Sequence, residues 1–555
     1  MQFRPMKKRS KTAFLLTAAA LVTIAMTVER VGAQAGSNTT TANGFSNGSF
    51  SIFRPFRDDD GKLQSLPAFR GLNGNNTFFK AFGTNQQTCA TCHLPADGFT
   101  IHVQTIEHKF QASHGKDPLF RLNDTANRPD ANPMTQQDRE QLYSLIRELG
   151  VMRIGIVVPA PPSAGGTAEF EIETQTTSKF GTLPSLTDPQ HPGVPTISLF
   201  RRPLVTNNMR FDSAVLWDGR ANITNIRAQV NGAAKTLLLA TAPTNAQLDD
   251  VARFMLGVFT DQIIDDRSSP PPSFAGRTSA QHAKGGTFNL LLSAFSPSAP
   301  CIHDATGART KSLTPVVTYY PHDGPGTLTP STCRPVVQGG RNMTTFQAWL
   351  HIPVDNSNIT NISRREIAHG EEIFNRATMH VPSDIVIPGL KGHKAHCTTC
   401  HSTNNIGNNA EGSFFVRIGS DSVKILRELA DAHPETPSLQ DFVTRTEILP
   451  QYCLRSTAPG APALADVACG NYSGTSTIHG DVITSDPGRA MISGKWADIG
   501  RFKPPILRGL APRSPYFHGS AADSTVNIVE FYNARFSMGL SQSEKDDLVR
   551  FLEAH

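Results

Sequence analysis

Cys89-Ala90-Thr91-Cys92-His93 and Cys397-Thr398-Thr399-Cys400-His401 are two copies of one pattern, C-x-x-C-H, in a chain of 555 residues. In this pattern two thiols add across the vinyl groups of a haem, and the adjacent histidine is held beneath the iron as its proximal ligand. The sequence therefore predicts two covalently bound haem c groups, held by Cys89, Cys92 and His93 at the first motif and by Cys397, Cys400 and His401 at the second.

Zinc binding and dithiol redox chemistry are the alternative interpretations of paired cysteines. Zinc ribbons usually separate their two C-x-x-C pairs by about 15–20 residues, whereas Cys397 follows Cys89 by 308 positions. A thioredoxin-like dithiol belongs to a βαβ unit and does not need the following histidine. The pattern and its repetition favour haem.

The first 35 residues are typical of a secretory signal peptide. They combine a basic head, an apolar run from Phe14 to Val28 and the small-residue cleavage site Ala33-Gln34-Ala35. The basic head contains no Arg-Arg pair of the twin-arginine kind. The sequence therefore predicts Sec-type export to a bacterial periplasm, with cleavage near Gly36.

The charge of the mature chain is balanced. The whole chain has 52 Lys and Arg residues against 47 Asp and Glu, and residues 1–35 hold six of the basic residues and one of the acidic ones, which leaves 46 of each sign. Balanced charge predicts no nucleic-acid partner and no attraction to an anionic membrane surface. Beyond the signal, no apolar stretch approaches the roughly 18 residues that a membrane span needs.

Four further cysteines lie outside the two motifs: Cys301, Cys333, Cys453 and Cys469. An even number in an oxidising compartment predicts two disulfides. The simplest pairing is Cys301 with Cys333 and Cys453 with Cys469. Unpaired buried thiols are the alternative.

The length of the chain and its Pro-, Gly- and Ser-rich stretches predict four units. They are a signal peptide at 1–35, an N-terminal haem c domain at 36–262, a Pro-, Gly- and Ser-rich insertion or linker at 263–345 and a C-terminal haem c domain at 346–555. We expect a mainly α fold of two cytochrome c-like domains with loop-rich insertions. A small β-hairpin is expected from residues 151–158 and 170–175, which alternate apolar and polar side chains around a Pro- and Gly-rich turn.

Two capping boxes predict helix starts in the C-terminal part of the chain. Ser363 with Glu366 predicts a helix that opens at Ser363, and Ser541 with Glu544 predicts a final helix. The apolar residues of the final helix recur at the spacing of one buried face, namely Leu548, Phe551 and Leu552. This last helix is interpreted as a packing helix.

Three further motifs carry a family resemblance: Leu216-Trp217-Asp218-Gly219-Arg220, Pro505-x-Leu507-Arg508 and Pro515-Tyr516-Phe517-His518-Gly519. They resemble the di-haem cytochrome c peroxidase superfamily, which includes the MauG-type maturation enzymes and the rubber oxygenases. The order of landmarks is similar over most of residues 65–555, apart from residues 265–340. The resemblance implies that His93 is proximal at a catalytic N-terminal haem and His401 at a six-coordinate, electron-storing C-terminal haem. Family members often carry Ca²⁺ between the domains, and the sequence assigns no residues to such an ion.

Trp217 matches the tryptophan that lies between the two haems in this superfamily, where its indole ring suits an electron relay. Arg220 follows in the same tight turn and offers a cation for a haem propionate. A core tryptophan whose N–H is satisfied is the alternative.

The superfamily takes the sixth ligand of the C-terminal haem from the last stretch of the chain, as methionine, tyrosine or histidine in different branches. Tyr532 matches the tyrosine branch, His518 ranks almost equally, and Met538 is a further candidate. A methionine ligand raises the haem potential, whereas a phenolate would lower it. A packing role is the alternative for each of them.

Peroxide cleavage needs a group that carries a proton from the near oxygen to the far one. The superfamily peroxidases supply a Gln and then a Glu after the Trp-Asp-Gly-Arg turn. Gln229 matches the glutamine if two residues are inserted, but no Asp or Glu occurs from Val230 to Leu248. The distal acid is therefore missing or comes from another segment.

The resemblance makes periplasmic reduction of hydrogen peroxide the leading function, with electrons passed from the C-terminal to the N-terminal haem. The implied donor is a small periplasmic cytochrome c or cupredoxin, and the residues expected in the chemistry are Trp217, Arg220 and Gln229. One alternative is a MauG-like or rubber-oxygenase-like oxidase or dioxygenase that uses oxygen or peroxide on an organic or protein substrate. Another is an electron carrier with both irons saturated by protein ligands. Two haems with a tryptophan between them favour an enzyme.

Overall fold

Short helices and short antiparallel sheets alternate along the chain in a computed structural model of the protein. The structure describes residues 52–58, 61–67, 71–81, 83–175, 193–209, 212, 214–222, 225–265, 343, 345–353, 359–387, 390, 392–401, 406–407, 415–457, 467–469, 478–480 and 482–555. These residues belong to one unit, which runs from Thr40 to His555.

The α-helices of the described ranges are mostly two to three turns long. They are α1 (Val103–Ser113), α2 (Gln136–Leu142), α3 (Ser144–Leu149), α4 (Ile226–Thr236), α5 (Asn245–Gly257), α6 (Ile359–Arg376), α7 (Cys397–Cys400), α8 (Val423–Ala432), α9 (Ser438–Glu447), α10 (Ala490–Ser493), α11 (Thr525–Arg535) and α12 (Gln542–Glu553).

The strands of the described ranges form two- and three-stranded antiparallel sheets. They are β1 (Phe56–Arg57), β2 (Gly61–Pro67), β3 (Met152–Val157), β4 (Phe170–Gln175), β5 (Thr196–Arg201), β6 (Ala214–Val215), β7 (Ala221–Asn222), β8 (Val258–Asp265), β9 (Met379–His380), β10 (Lys394–Ala395), β11 (Tyr452–Ser456), β12 (Val467–Cys469), β13 (Ile478–Gly480) and β14 (Val482–Thr484). Their orders are β1-β2-β8, β3-β5, β14-β11-β4, β6-β7, β9-β10 and β12-β13.

The fold is mixed rather than mainly α, which corrects the expectation from sequence. The correction arises because strands far apart in the chain pair with each other. For example, β2 pairs along its whole length with β8, about 200 residues later. A single-sequence pattern shows the alternation of a strand but not its partner.

The predicted hairpin of residues 151–158 and 170–175 is wrong in its pairing, although both segments are strands. β3 pairs with β5 and β4 pairs with β11. The connection between β3 and β4 contains a 3₁₀ turn at Pro162–Ala164, and it is longer than the two-residue turns that force neighbouring strands together. Each strand is therefore free to pair elsewhere.

The final helix follows the sequence prediction. Ser541 and Glu544 form the capping box of α12, an arrangement worth about 1 kcal/mol for the capping side chain. Phe551 is fully buried, and Leu548 and Leu552 are nearly so, so that each contributes about 1.5–3 kcal/mol of apolar burial. The helix is a packing helix, as predicted.

The predicted start of α6 at Ser363 is wrong, because the helix begins at Ile359. Ser363 lies inside the helix and is fully buried, so its hydroxyl is not a cap. α6 packs closely against α12: a Cβ atom on Gly370 would lie 2.0 Å from the carbonyl oxygen of Asp547. Glycine at this position permits the contact between the two helices.

A buried ion network joins distant parts of the chain. The Arg201 guanidinium at the end of β5 donates to both carboxyl oxygens of Asp486 and to Asp218. Arg201 and Asp218 are at most 1% exposed. Removing one partner of such a buried pair costs about 3–5 kcal/mol, so this network holds the turn that carries Asp218 in a defined place.

Several predictions fall outside the described residues. They are the signal peptide at 1–35 and the insertion at 263–345, of which only residues 263–265, 343 and 345 are described. Cys301 and Cys333 are not among them. Both disulfide pairings and the domain boundaries also stay predictions. No helix in the described part of the chain is both long enough and apolar enough to cross a membrane.

Candidate functional site

The first C-x-x-C-H motif is one turn of 3₁₀ helix over Cys89–Thr91. The N–H of Thr88 donates to Thr91 Oγ1 at 2.9 Å, and the N–H of His93 donates to Cys89 O at 3.1 Å. These two bonds close the turn at both ends. They hold both thiols and the imidazole on one rigid segment.

The second motif repeats this geometry on helix α7. The N–H of His396 donates to Thr399 Oγ1 at 3.0 Å, and the N–H of His401 donates to Cys397 O at 2.9 Å. Thr399 occupies the same place in its motif as Thr91 does in the first. The two motifs therefore have the same local structure.

Both motif histidines make the same kind of contact with a main-chain carbonyl. Nδ1 of His93 lies 3.0 Å from Phe99 O, and Nδ1 of His401 lies 3.2 Å from Ile406 O. Burial lowers the pKa of each imidazole to about 4, so both rings are neutral near pH 7. A ring whose Nδ1–H donates to a carbonyl keeps a lone pair on Nε2 for iron, the usual arrangement of a metal-ligating histidine.

The four motif cysteines are free thiols. Burial raises the pKa of Cys89, Cys397 and Cys400 to about 12 and that of Cys92 well above its usual value. Zinc binds thiolates, and among the described residues no group of three or more His, Cys, Asp or Glu side chains is arranged to hold a metal ion. Calcium therefore stays a prediction without assigned residues.

A cavity lies against the second motif. Its volume is about 180 Å³. Cys397, Cys400 and His401 line it, and much of the remaining wall is apolar. Thiols and an imidazole at the edge of an apolar cavity fit a haem attached at this motif.

Trp217 reaches the same cavity from the preceding part of the chain. It is 9% exposed, and its indole N–H donates to Arg202 O at 2.8 Å. The ring centre of Trp217 lies 6.3 Å from that of His518, edge to face. The tight turn after it requires Gly219, which has φ +63° and where a Cβ atom would lie 2.2 Å from the ring of Phe415.

The structure brings all three candidates for the sixth ligand to the cavity wall: His518, Tyr532 and Met538. His518 is 2% exposed, its ring stacks on Phe502 at 3.9 Å, and its Nε2 has no hydrogen-bond partner in the described ranges. Burial and then the charges of Cys400 and Cys397 raise the pKa of the Tyr532 hydroxyl. Met538 packs in the cluster that contains both thiols.

Two buried arginines at the cavity were missed by sequence reasoning. Arg202 donates only to the main-chain oxygens of Gly150, Ile101 and Arg513. Arg513 donates to Ile506 O, and its Nε has no hydrogen-bond partner among the described residues. Neither forms an ion pair with a carboxylate in the described part of the chain, and burial lowers their pKa values to about 9 and about 10.

Buried cations without carboxylates are costly unless an anion joins them. Arg202 and Arg513 both line the cavity, and the two propionates of a haem are anions of the required kind. The sequence signal for this feature was the pair Arg201-Arg202 at the end of an otherwise apolar strand. Its meaning depends on which guanidinium pairs with a carboxylate, and of these two arginines only Arg201 forms ion pairs in the described part of the chain.

Arg220 and Gln229 lie outside this cavity wall. Arg220 Nη1 donates to Asp218 Oδ2 at 2.5 Å, so its charge is paired within the chain rather than presented to a propionate. Gln229 lies half-buried on α4, a helix whose Ile226 and Val230 pack in the same cluster as Cys89. The sequence alone does not show that Arg220 and Gln229 lie away from the cavity wall while Trp217 lies on it.

Comparison with known proteins gives a short and distant match. No family model matches the chain. Over 129 residues the chain is 32% identical to cytochrome-c peroxidase IdrP2 of Denitromonas iodatirespirans, a match that covers 22% of this chain and 30% of that protein. The chain is thus similar to a peroxidase-type cytochrome over less than a third of the length of that relative.

Proposed function

We propose that the chain is a haem-dependent oxidoreductase of the peroxidase type, with two covalently attached haem c groups. The observation that carries this proposal is the apolar cavity lined by Cys397, Cys400 and His401 on one side and by Trp217 on another. The similarity of part of the chain to a cytochrome-c peroxidase supports a redox enzyme and a haem cofactor. The shared geometry of the two motifs supports two haems.

Each residue of the motifs has a defined role in this proposal. Cys89 and Cys92 hold one haem, and Cys397 and Cys400 hold the other, while His93 and His401 bind the irons through Nε2. A haem supplies the one-electron redox chemistry that amino-acid side chains lack. Arg202 and Arg513 bind its propionates at the second motif and thereby neutralise their own buried charge.

Trp217 is placed to pass electrons between the two haem sites. It lines the cavity of the second motif, and its N–H bond to Arg202 fixes the orientation of the ring. Val215 and Leu216, just before it, pack in the cluster that contains Cys89 of the first motif. The indole therefore stands between the surroundings of the two motifs.

In this proposal a small periplasmic cytochrome c or cupredoxin would be the electron donor, the haem held at the second motif would store the electrons, and the haem held at the first motif would supply the redox chemistry of hydrogen peroxide reduction. Tyr532, His518 and Met538 are the three candidates that would hold the iron at the second motif together with His401. In the described part of the chain His518 is the candidate whose ring nitrogen is both buried and unpaired, which favours it on geometry. The signal peptide and the periplasmic location belong to the same proposal.

A MauG-like or rubber-oxygenase-like reaction is the second candidate function. It is favoured by the absence of a carboxylate from Val230 to Leu248, because weak proton delivery slows peroxide reduction. In that case the first haem uses oxygen or peroxide to oxidise an organic or protein substrate.

The test is spectroscopy and turnover on the mature protein with both haems attached. EPR of the oxidised and half-reduced states reports spin state and sixth ligation at each iron. We expect one high-spin haem and peroxide reduction with a reduced cytochrome c as donor, both retained when the exposed control His433 is changed to Ala. Low-spin signals from both irons throughout, with no peroxide turnover, would identify an electron carrier. A high-spin haem without peroxide turnover would favour the oxygenase.

A further inference from the structure

Among the described residues, a buried carboxyl group beside the first motif has no hydrogen-bond partner. Asp124 is 1% exposed, and neither of its carboxyl oxygens is hydrogen-bonded within the described ranges. It lies close enough to Cys92 for its charge to raise the pKa of that thiol, after burial itself. A buried carboxylate without hydrogen bonds is costly, because it has lost the solvation of water.

The loop that carries Asp124 is fixed against the motif. The N–H of Arg153 donates to Asp124 O at 2.7 Å, and the Arg153 guanidinium donates to Asn123 O at 2.6 Å. Leu122 of the same loop packs in the cluster that contains Cys92. The His93 ring contacts a different cluster, with its centre 6.5 Å from that of Phe78. The loop therefore packs in the same cluster as the thiol of Cys92. The imidazole of His93 contacts a different cluster.

The same loop contacts the end of the helix that carries Gln229. Asn123 Nδ2 donates to Leu237 O at 3.3 Å, and Asn85 Nδ2 donates to the same oxygen at 2.6 Å. Leu237 is the residue at which α4 ends. The loop that carries Asp124 thus contacts the segment 230–248, which has no carboxylate of its own.

We propose that Asp124 is the proton-transfer group of the first haem site, in place of an acid on the segment that follows Gln229. This assignment rests on the proposed function in one respect, namely that Cys89, Cys92 and His93 hold the reacting haem. Arg121 and Arg153 flank the carboxyl group and stabilise the carboxylate that it becomes when it gives up its proton.

The proton balance of the reaction defines the role of this group. Peroxide reduction is H₂O₂ + 2 H⁺ + 2 e⁻ → 2 H₂O; the two electrons come from two molecules of the reduced one-electron donor protein, each of which is oxidised once, and both protons come from solvent. The carboxylic acid of Asp124 gives a proton to the oxygen that leaves as water, while the O–O bond breaks. The carboxylate then takes a proton from solvent.

Asp124 is the group in this neighbourhood that changes charge near neutral pH. The ionisable groups that face it are Arg121 on its own loop, Arg153 on β3, Cys92 on the motif and Tyr143 between α2 and α3. Guanidinium groups stay protonated, a thioether at Cys92 does not titrate, and burial raises the pKa of the Tyr143 hydroxyl. Burial raises the pKa of Asp124 itself to about 7, against the opposing effect of the two arginines.

The test compares Asp124→Asn with Asp124→Glu and with the control Asp117→Asn, each carrying both haems. Asp117 also acts on Cys92, but it is partly exposed and pairs with Lys109 at 3.2 Å. Asp124→Asn should lower peroxide turnover by about 10²–10⁴, the usual worth of acid–base assistance, and Asp124→Glu should restore part of it. The control should keep the turnover and the pH profile of the unmodified protein.

A second readout requires no substrate. The optical spectrum of the oxidised first haem should show a one-proton transition near neutral pH, absent in Asp124→Asn and moved in Asp124→Glu. If the unmodified protein reduces no peroxide but shows this transition, the peroxidase function fails and the assignment of Asp124 stands. An unchanged transition in Asp124→Asn would overturn the assignment. If that variant does not fold, an unmoved midpoint in Asp124→Glu would overturn it instead.

Discussion

The two C-x-x-C-H motifs have the same local structure in opposite surroundings. Each closes its turn with a threonine hydroxyl and directs its imidazole to a main-chain carbonyl. The second motif faces an apolar cavity with the cations Arg202 and Arg513 in its wall, whereas the first lies beside the unpaired carboxyl of Asp124. The difference shows that the pentapeptide determines the local turn, while residues far away in the sequence determine the charge and polarity around it.

Removing the thiols of one motif is expected to have the largest effect. Cys89→Ala with Cys92→Ala should leave covalent haem only at the second motif, and Cys397→Ala with Cys400→Ala should leave it only at the first, because each motif is complete in itself. The mass of the mature chain and haem retention after acid-acetone extraction measure this. Loss of both haems from either double variant would show that the two sites are not independent.

Replacing the proximal histidines should separate the two roles. His93→Gly should abolish peroxide turnover, because it removes the ligand at the reacting haem. His401→Gly should instead slow the delivery of electrons while a chemically reduced protein still reacts once with peroxide. Stopped-flow spectra of oxidised and reduced protein distinguish these outcomes. Identical kinetic and spectral losses in the two variants would contradict the proposal that the first haem site reacts with peroxide and the second delivers electrons.

Trp217→Phe should slow electron transfer between the two sites with both haems still bound. We expect a decrease of about tenfold or more, equivalent to ~1.4 kcal/mol on the barrier, together with the loss of the hydrogen bond to Arg202 O. Trp496→Phe is the matched control, since Trp496 is a buried tryptophan that packs in a different cluster. Equal interhaem rates in the two variants would assign Trp217 to the core.

Arg513→Gln should produce the smallest effect, a lower midpoint potential at the second haem only. A buried cation favours the reduced, less positive haem, so its removal favours the oxidised form. A shift of about 60 mV corresponds to ~1.4 kcal/mol for one electron. Arg147→Gln is a suitable control, because Arg147 pairs with Glu107. A shift confined to the first haem would contradict the placement of Arg513.

The parts of this protein that the sequence predicts are those that depend on nearby residues. The motif turns need only five or six consecutive positions, and the capping box at Ser541 needs four. Ser363 shows the limit of this reasoning, because the same local signal lies in the interior of α6. A capping box identifies a helix end only when the preceding residues do not continue the helix.

Sequence reasoning missed the buried charged groups that lack a partner of opposite charge or a hydrogen bond in the described part of the chain. Arg201 and Arg202 are adjacent in the chain, yet Arg201 has two carboxylate partners and Arg202 has none in the described part of the chain. Within the described ranges, neither carboxyl oxygen of the buried Asp124 accepts a hydrogen bond from another residue. Whether a buried charged group has a partner depends on the folded interior. The spacing of residues in the sequence does not predict it.

The pairing of β4 with β11 also constrains the order of assembly. These strands are separated by some 280 residues, as are Arg201 and Asp486 in the buried ion network, which lie 285 positions apart. Contacts between such distant segments form late in folding, because a long loop must first close. Under the proposed function, haem would therefore be attached to both motifs before this sheet is complete. By the same reasoning, two fragments made by cutting the chain between its two motifs would each lack the strand partners of the other, and neither is expected to fold on its own.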